Sequence, residues 1–178
     1  YSGPVAARIY ALLRARRNAV RRVVLLGPSH RVAIDGLALP ESRSFATPLG
    51  TVAIDTPGME QLRDLPQVVV SAAAHAQEHS LEVQLPFLQT VFDDFSLLPL
   101  VVGRATPTLV AEVLERVWGD EETLIVVSSD LSHFLPYATA QTLDGETVQH
   151  ILRLDPRLAH DAACGATPIN GLLIAAQR

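Results

Sequence analysis

Four short stretches of this chain hold residue types that do chemistry. Gly27-Pro28-Ser29-His30 presents an imidazole after a turn. Ser128-Ser129-Asp130-Leu131-Ser132-His133 pairs a carboxylate with a second imidazole. His75-Ala76-Gln77-Glu78-His79-Ser80 sets two imidazoles around a carboxylate, and Cys164-Gly165 carries the only thiol of the chain. Neutral imidazole and thiolate together suit iron, copper or zinc. A carboxylate beside a ligating imidazole fixes its orientation, which is a role open to Asp130 toward His30 or His133. An imidazole near a bound molecule moves protons, a role open to His79 or His133 if they are buried.

Plainer readings stand beside each of these. Ser129 or Asp130 would serve equally well as a helix cap. A lone cysteine is more often a small buried hydrophobe, and a nucleophilic one needs a base and a lowered pKa that the sequence does not reveal. His75-x-x-Glu78-His79 matches the inverted zinc-peptidase pattern, in which both imidazoles share a helix face. Residues 71–74 give little amphipathic support for a helix starting before His75, so this reading is a minor one. His150 and His160 fall in polar stretches suited to the surface or to helix ends. Tyr1 and Tyr137 are within reach of a pocket, and Tyr10 is the poorer choice.

The surrounding elements must bring these stretches together. Residues 22–26, 67–70, 95–102 and 123–127 are short apolar runs that read as strands, the first and last ending directly in the His30 and Asp130 stretches. Residues 49–54 read as a further extended piece. Residues 5–13, 58–65, 80–92, 107–118, 138–152 and 156–163 read as helices, with a last helix starting near Pro168. Ser2 is placed to cap the first, Asp55 or Thr56 the second, and Pro86 should kink or break the third. Strands alternating with helices argue for an α/β three-layer sandwich with a mostly parallel central sheet. Ligands in such sheets sit beyond the carboxyl ends of the strands, so His30, Asp130 and His133 should meet at one edge.

Composition narrows the function classes. The 178 residues suit one domain able to bury roughly 70% of its unfolded surface. Hydrophobic residues make up 48% and charged residues 19%, which excludes a disordered chain. Net charge is −5, and all 14 basic residues are Arg, so a nucleic-acid partner is not expected. The cluster of Arg14, Arg16, Arg17, Arg21 and Arg22 reads as solvated surface. No apolar run reaches membrane-span length, so no membrane partner is expected. The lone Cys164 fits a reducing, cytoplasmic setting.

Taken in order, Tyr1-Ser2-Gly3, Gly27-Pro28-Ser29-His30, Glu78-His79-Ser80, Leu85-Pro86, the stretch through Ser128-Ser129-Asp130, Ser132-His133 and Cys164-Gly165 resemble the Memo-like family, known in bacteria as the B component of the AmmeMemoRadiSam system. The likeness covers nearly the whole chain; each motif is weak alone and the ordered set is specific. It implies one Memo-like domain over residues 1–178, with a fold similar to class III extradiol dioxygenases. It also implies a pocket in which two His and one Cys hold a metal, iron first and copper second. His30 and Cys164 fall on two of those ligands, and the other His is expected upstream of residue 1, the chain being read as shortened at both ends. His79, Asp130 and His133 match further polar residues of the pocket, where a catalytic role is expected. His75 departs from the family pattern. The resemblance further implies a redox role or oxidoreductase activity on a small molecule or peptide, with radical-SAM and AMMECR-domain proteins as partners. The alternative is a non-enzymatic module that captures a peptide or partner in a vestigial pocket.

Overall fold

The computed structural model describes residues 2–178; Tyr1 lies outside the described residues, and so does the expectation placed on it. Strand β1 (Arg22–Pro28) is an inner strand of a seven-stranded sheet. It pairs in parallel with β6 (Ser96–Val102) on one side and β7 (Thr123–Val127) on the other. Val23, Val24, Leu25 and Leu26 are fully buried, which is why β1 has no polar alternation: both of its faces are covered. Strand β4 (Gly50–Ile54) also runs parallel to β6, and β3 (Ser44–Thr47) closes antiparallel on β4 through a tight turn at Gly50. Strand β2 (Leu37–Leu39) lies antiparallel to β6 and parallel to β5 (Val68–Val70). The expected mostly parallel sheet is therefore present, with an antiparallel strand at two places.

One side of β6 is shared by two strands. β4 pairs with Ser96 and Leu97, and β2 with Val101 and Val102. Pro99 sits between them. Ser96 donates to Arg21 O and Val102 O accepts from Ser29, so the even positions of β6 face β1. Leu97 O accepts from Asp55, so the odd positions face the other way. Pro99 thus points its missing N–H into the gap between β4 and β2, and a proline is accommodated inside a central strand without costing a ladder bond.

Helices cover both faces. On one, α1 (Gly3–Leu12) packs on α5 (Leu85–Val91), with Tyr10 and Phe87 stacked at 5.3 Å. Short α4 (His79–Glu82) lies against β1 on the same side, where Gly27 makes room for it: a Cβ there would come within 2.6 Å of Ser80 Oγ. On the other face, α2 (Thr56–Glu60), α6 (Pro107–Val117) and α8 (Ala166–Ala175) pack on the sheet and one another, with Gly171 of α8 against Val110 of α6. Thr106 caps α6 and Asp55 caps α2. Helix α7 (Tyr137–Leu152) buries only Thr147.

Several sequence expectations need correction. Residues 80–92 are two helices, α4 and α5, with the expected break at Pro86, which lies in the first turn of α5. Ser2 precedes α1 without a side-chain cap bond. The helix expected over 58–65 is the shorter Thr56–Glu60 followed by turns, and 156–163 is irregular apart from turns. In the Arg cluster, Arg14, Arg16, Arg17 and Arg21 are exposed as expected, and only Arg22 departs: it is half-buried, reaches Val117 O at the end of α6 and lies 3.8 Å from Asp55. Among the described residues no helix is long and apolar enough to cross a membrane.

Candidate metal centre

The parallel register brings the motif ends together. Leu26 of β1 stands opposite Val127 of β7, and Ser128 N–H donates to Leu26 O at 2.8 Å. The Ser29-His30 and Ser129-Asp130 stretches therefore leave the same edge of the sheet, side by side. Helix α4 is pinned there too, since Ser80 Oγ donates to Pro28 O at 2.9 Å. Cys164 joins from the other layer: its N–H donates to Asp130 O at 3.2 Å, and its Sγ accepts from Asp130 N–H at 3.2 Å. Gly165 follows because a Cβ there would come within 2.7 Å of Ser129 Cβ and 2.9 Å of Ser128 O. The stretches that carry His30, Asp130 and His133 thus follow strands ending at one edge of the sheet, and Cys164 bonds Asp130 there.

His30, Glu78 and His79 form a cluster whose ligand atoms all lie within 4.8 Å of one another. The imidazoles of His30 and His79 have ring centroids 4.7 Å apart. Glu78 is buried and holds the group. Its Oε2 accepts from His30 N–H at 2.5 Å. Its Oε1 accepts from His79 N–H and Ser80 N–H, both at 3.0 Å, and lies 2.9 Å from His30 Nδ1. It is at once the cap of α4 and the anchor of His30. Burial pushes the Glu78 carboxyl up, but hydrogen bonds from the His30 N–H, the His30 ring and the Ser80 N–H outweigh it and hold the pKa at about 2. A carboxylate acceptor on Nδ1 makes that nitrogen the donor and leaves the Nε2 lone pair outward. With its oxygens so engaged, Glu78 is a better orienting group than a ligand.

The remaining sequence candidates take different places. The carboxylate that orients His30 is Glu78, not Asp130. Asp130 stands 3.9 Å from His133 Nε2, too far for a hydrogen bond, and both side chains face solvent. His79 is half exposed rather than buried. Tyr10 is buried in the core, its hydroxyl donating to Gln84 Oε1, whose amide donates to Ser128 Oγ. Burial raises the Tyr10 phenol far above its ordinary range. His75 belongs to short α3 (Ala72–Ala76), which ends before Glu78, so His75 and His79 do not share a helix face. Its Nε2 bonds Ala38 O at 2.9 Å, and burial holds its pKa below the ordinary value. The inverted peptidase pattern is thereby removed. In the sequence Glu78 stands out only as part of two motifs; the signal for its anchoring role is its place directly before a helix start, where a carboxylate caps.

Comparison with known proteins gives the family and the fold. A family model described as Memo-like protein matches residues 1–177. The chain is 33% identical over 192 residues to a MEMO1 family protein of Metallosphaera sedula, covering all of this chain and 68% of that protein. It is 34% identical over 193 residues to one of Saccharolobus solfataricus, with the same coverage. Its fold is similar to that in the crystal structure of the uncharacterized protein JW3007 from Escherichia coli K12, at a TM-score of 0.59 and 16% identity over 95% of this chain and 80% of that one. With a family match over the whole length and relatives this similar, the chain belongs to the Memo-like family.

Proposed function

We propose that the carboxyl edge of the sheet is a metal site with a redox role, held by His30 Nε2 and Cys164 Sγ, with His79 next to it as the group that moves protons. The observation that carries this reading is the Glu78–His30 bond at 2.9 Å: a buried carboxylate on Nδ1 is the arrangement that prepares an imidazole to ligate through Nε2. The donor set fits a soft or borderline ion. The Cys164 sulfur is fixed by the Asp130 N–H, and the His79 ring adds a second imidazole close by. Iron is our first assignment and copper the second. Such an ion would supply Lewis-acid and one-electron chemistry to a small molecule or peptide at this edge.

Elemental analysis of the complete natural protein, purified without oxygen, tests this. His30→Ala and Cys164→Ala should each lose the metal, while His75→Ala should keep it. Equal metal content in all of them overturns the assignment.

One observation favours a second reading, a module that captures a partner without turning it over. Phe134, directly after His133, is fully exposed at 103% and held in a left-handed backbone conformation with φ 58°. Leu135 and Tyr137 are exposed beside it. A large apolar group displayed this way suits partner contact. Partner binding that disappears in Phe134→Ser, in protein that never holds metal, would favour the module over the metal site.

A further inference from the structure

We propose that the cavity beside this edge, on the α6/α8 side, is an anion subsite that takes the carboxylate or phosphate end of a small molecule. It rests on the reading of the edge as the active site and adds a substrate class to it. The cavity is a shallow cleft open to solvent, with a volume of about 560 Å³, lined by Arg104, Thr106, Leu109, His160 and Thr167 among others. That size suits a small molecule. It adjoins the metal site through two short stretches of chain. Val102, the last residue of β6, accepts from Ser29 N–H at 2.9 Å, and Gly103 and Arg104 follow directly. Thr167 lies in the first turn of α8, just past Cys164.

The wall offers donors, and no carboxylate is among the residues that line it. Arg104 supplies the charge. Its backbone is locked: Arg104 N–H donates to Ile34 O and Gly36 N–H donates to Arg104 O, both at 2.8 Å. The side chain is free in comparison. Its Nε and Nη2 both reach one oxygen of Asp35, Oδ1, at 2.7 Å, and both partners are about four-fifths exposed (80% and 78%). An ion pair so open to water is weak and exchangeable. It occupies one edge of the guanidinium and leaves the Nη1 side for another acceptor. Opposite, His160 Nε2 and Thr167 Oγ1 lie 3.1 Å apart, so one of the two donates to the other and the pair adds a polar contact on a buried hydroxyl. Leu109 gives the carbon part of a ligand an apolar surface. The shared chemistry is a negatively charged oxygen group, met by a fork of donors on a fixed backbone.

Titration of the complete natural protein with inorganic phosphate and with succinate, by calorimetry at low ionic strength, tests this and separates phosphate from carboxylate. Binding of at least one of them should weaken about tenfold or more in Arg104→Ala. Arg104→Lys should fall between that variant and the wild type. Asp35→Asn should bind more tightly than wild type, because the competing acceptor is gone, an effect that a purely structural role for the ion pair does not produce. Arg157→Ala, a cation elsewhere on the surface, should match wild type. Binding that is equal in wild type and Arg104→Ala overturns the subsite, as does the absence of binding by either anion at millimolar concentration. Metal content read on the same samples keeps the two readings apart. Metal-free wild type whose anion affinity still depends on Arg104 sinks the metal assignment alone; metal-loaded protein indifferent to Arg104 sinks the subsite alone.

Discussion

Replacing Glu78 by glutamine tests the site at its anchor while preserving shape. The carboxylate accepts from His30 N–H, His79 N–H, Ser80 N–H and the His30 ring. An amide keeps one acceptor oxygen. If that oxygen stays with α4 and the ring, the NH2 faces His30 N–H across the present 2.5 Å contact, donor against donor. An orphaned buried N–H costs about 1–3 kcal/mol, and loss of the charge weakens the bonds that remain by about 1 kcal/mol more. The expected destabilisation is therefore about 2–4 kcal/mol, which for a domain of this size lowers Tm by roughly 5–15 °C. Metal affinity should fall about 10–100-fold, since the Nδ1 partner no longer fixes the His30 ring as firmly. Thermal melts followed by circular dichroism give the first number and competition with a chelator the second. Glu82→Gln, exposed on the same short helix, is the control and should stay within about 0.5 kcal/mol of wild type. A Glu78→Gln protein that melts and binds metal like wild type would refute the claim that this carboxylate holds the site.

Three further outcomes follow from the packing. Gly27→Ala forces a Cβ onto Ser80 Oγ and within 2.9 Å of Leu81 Cδ2, so α4 must move off β1; stability should drop by about 1–3 kcal/mol and metal affinity with it, read by melts and chelator competition. Gly145→Ala meets nothing within 4 Å in the middle of α7 and should instead raise stability by about 0.5–1 kcal/mol, seen as a higher midpoint in urea. The hydrogen bond from Arg157, set against burial and helped by His150, holds Asp155 at a pKa of about 2, below its ordinary 3.8. Its stabilising effect is therefore present above pH 3.8 and is lost as pH falls through about 2, so Asp155→Asn should show a Tm deficit at pH 7 that shrinks to a small remainder by pH 2. A deficit that grows on acidification reverses the sign and removes the argument.

Much of this arrangement was legible in the residues because burial on both faces leaves a plain mark. The continuous apolar runs at β1 and β6 are buried along nearly their whole length, while β7 is half-buried throughout, and the ends of β1 and β7 located the edge. The strands that went unread, β2 and β3, are short, and β3 alternates between half-buried and exposed positions with polar residues in it. Nothing in their composition separates them from loop; pairing with β6 and β4 makes them strands. Residues 156–163 carry apolar residues at helical spacing, yet Asn170 takes the role a helix would have had, bonding both the N–H and the O of Leu158 and fixing that stretch as irregular. At the site, single motifs named His30 and Cys164 but not what orients them. The bond from Glu78 to His30 spans forty-eight positions and arises only from the close seat of α4 on β1.

Pro99 also guards the assembly of the sheet. Side chains and hydrogen-bonding groups alternate along a strand, so a one-residue slip of β6 would exchange its two edges. Pro99 would then face β1, in the most enclosed part of the protein, with no N–H to offer a buried carbonyl. That orphan would cost about 1–3 kcal/mol in addition to turning the apolar positions of β6 around. Only one alignment places the proline where two shorter strands leave a space for it. The residue least suited to a central strand thus acts as a proofreading mark during folding, and the alignment it selects is the one that sets Ser29, and with it His30, at the carboxyl edge.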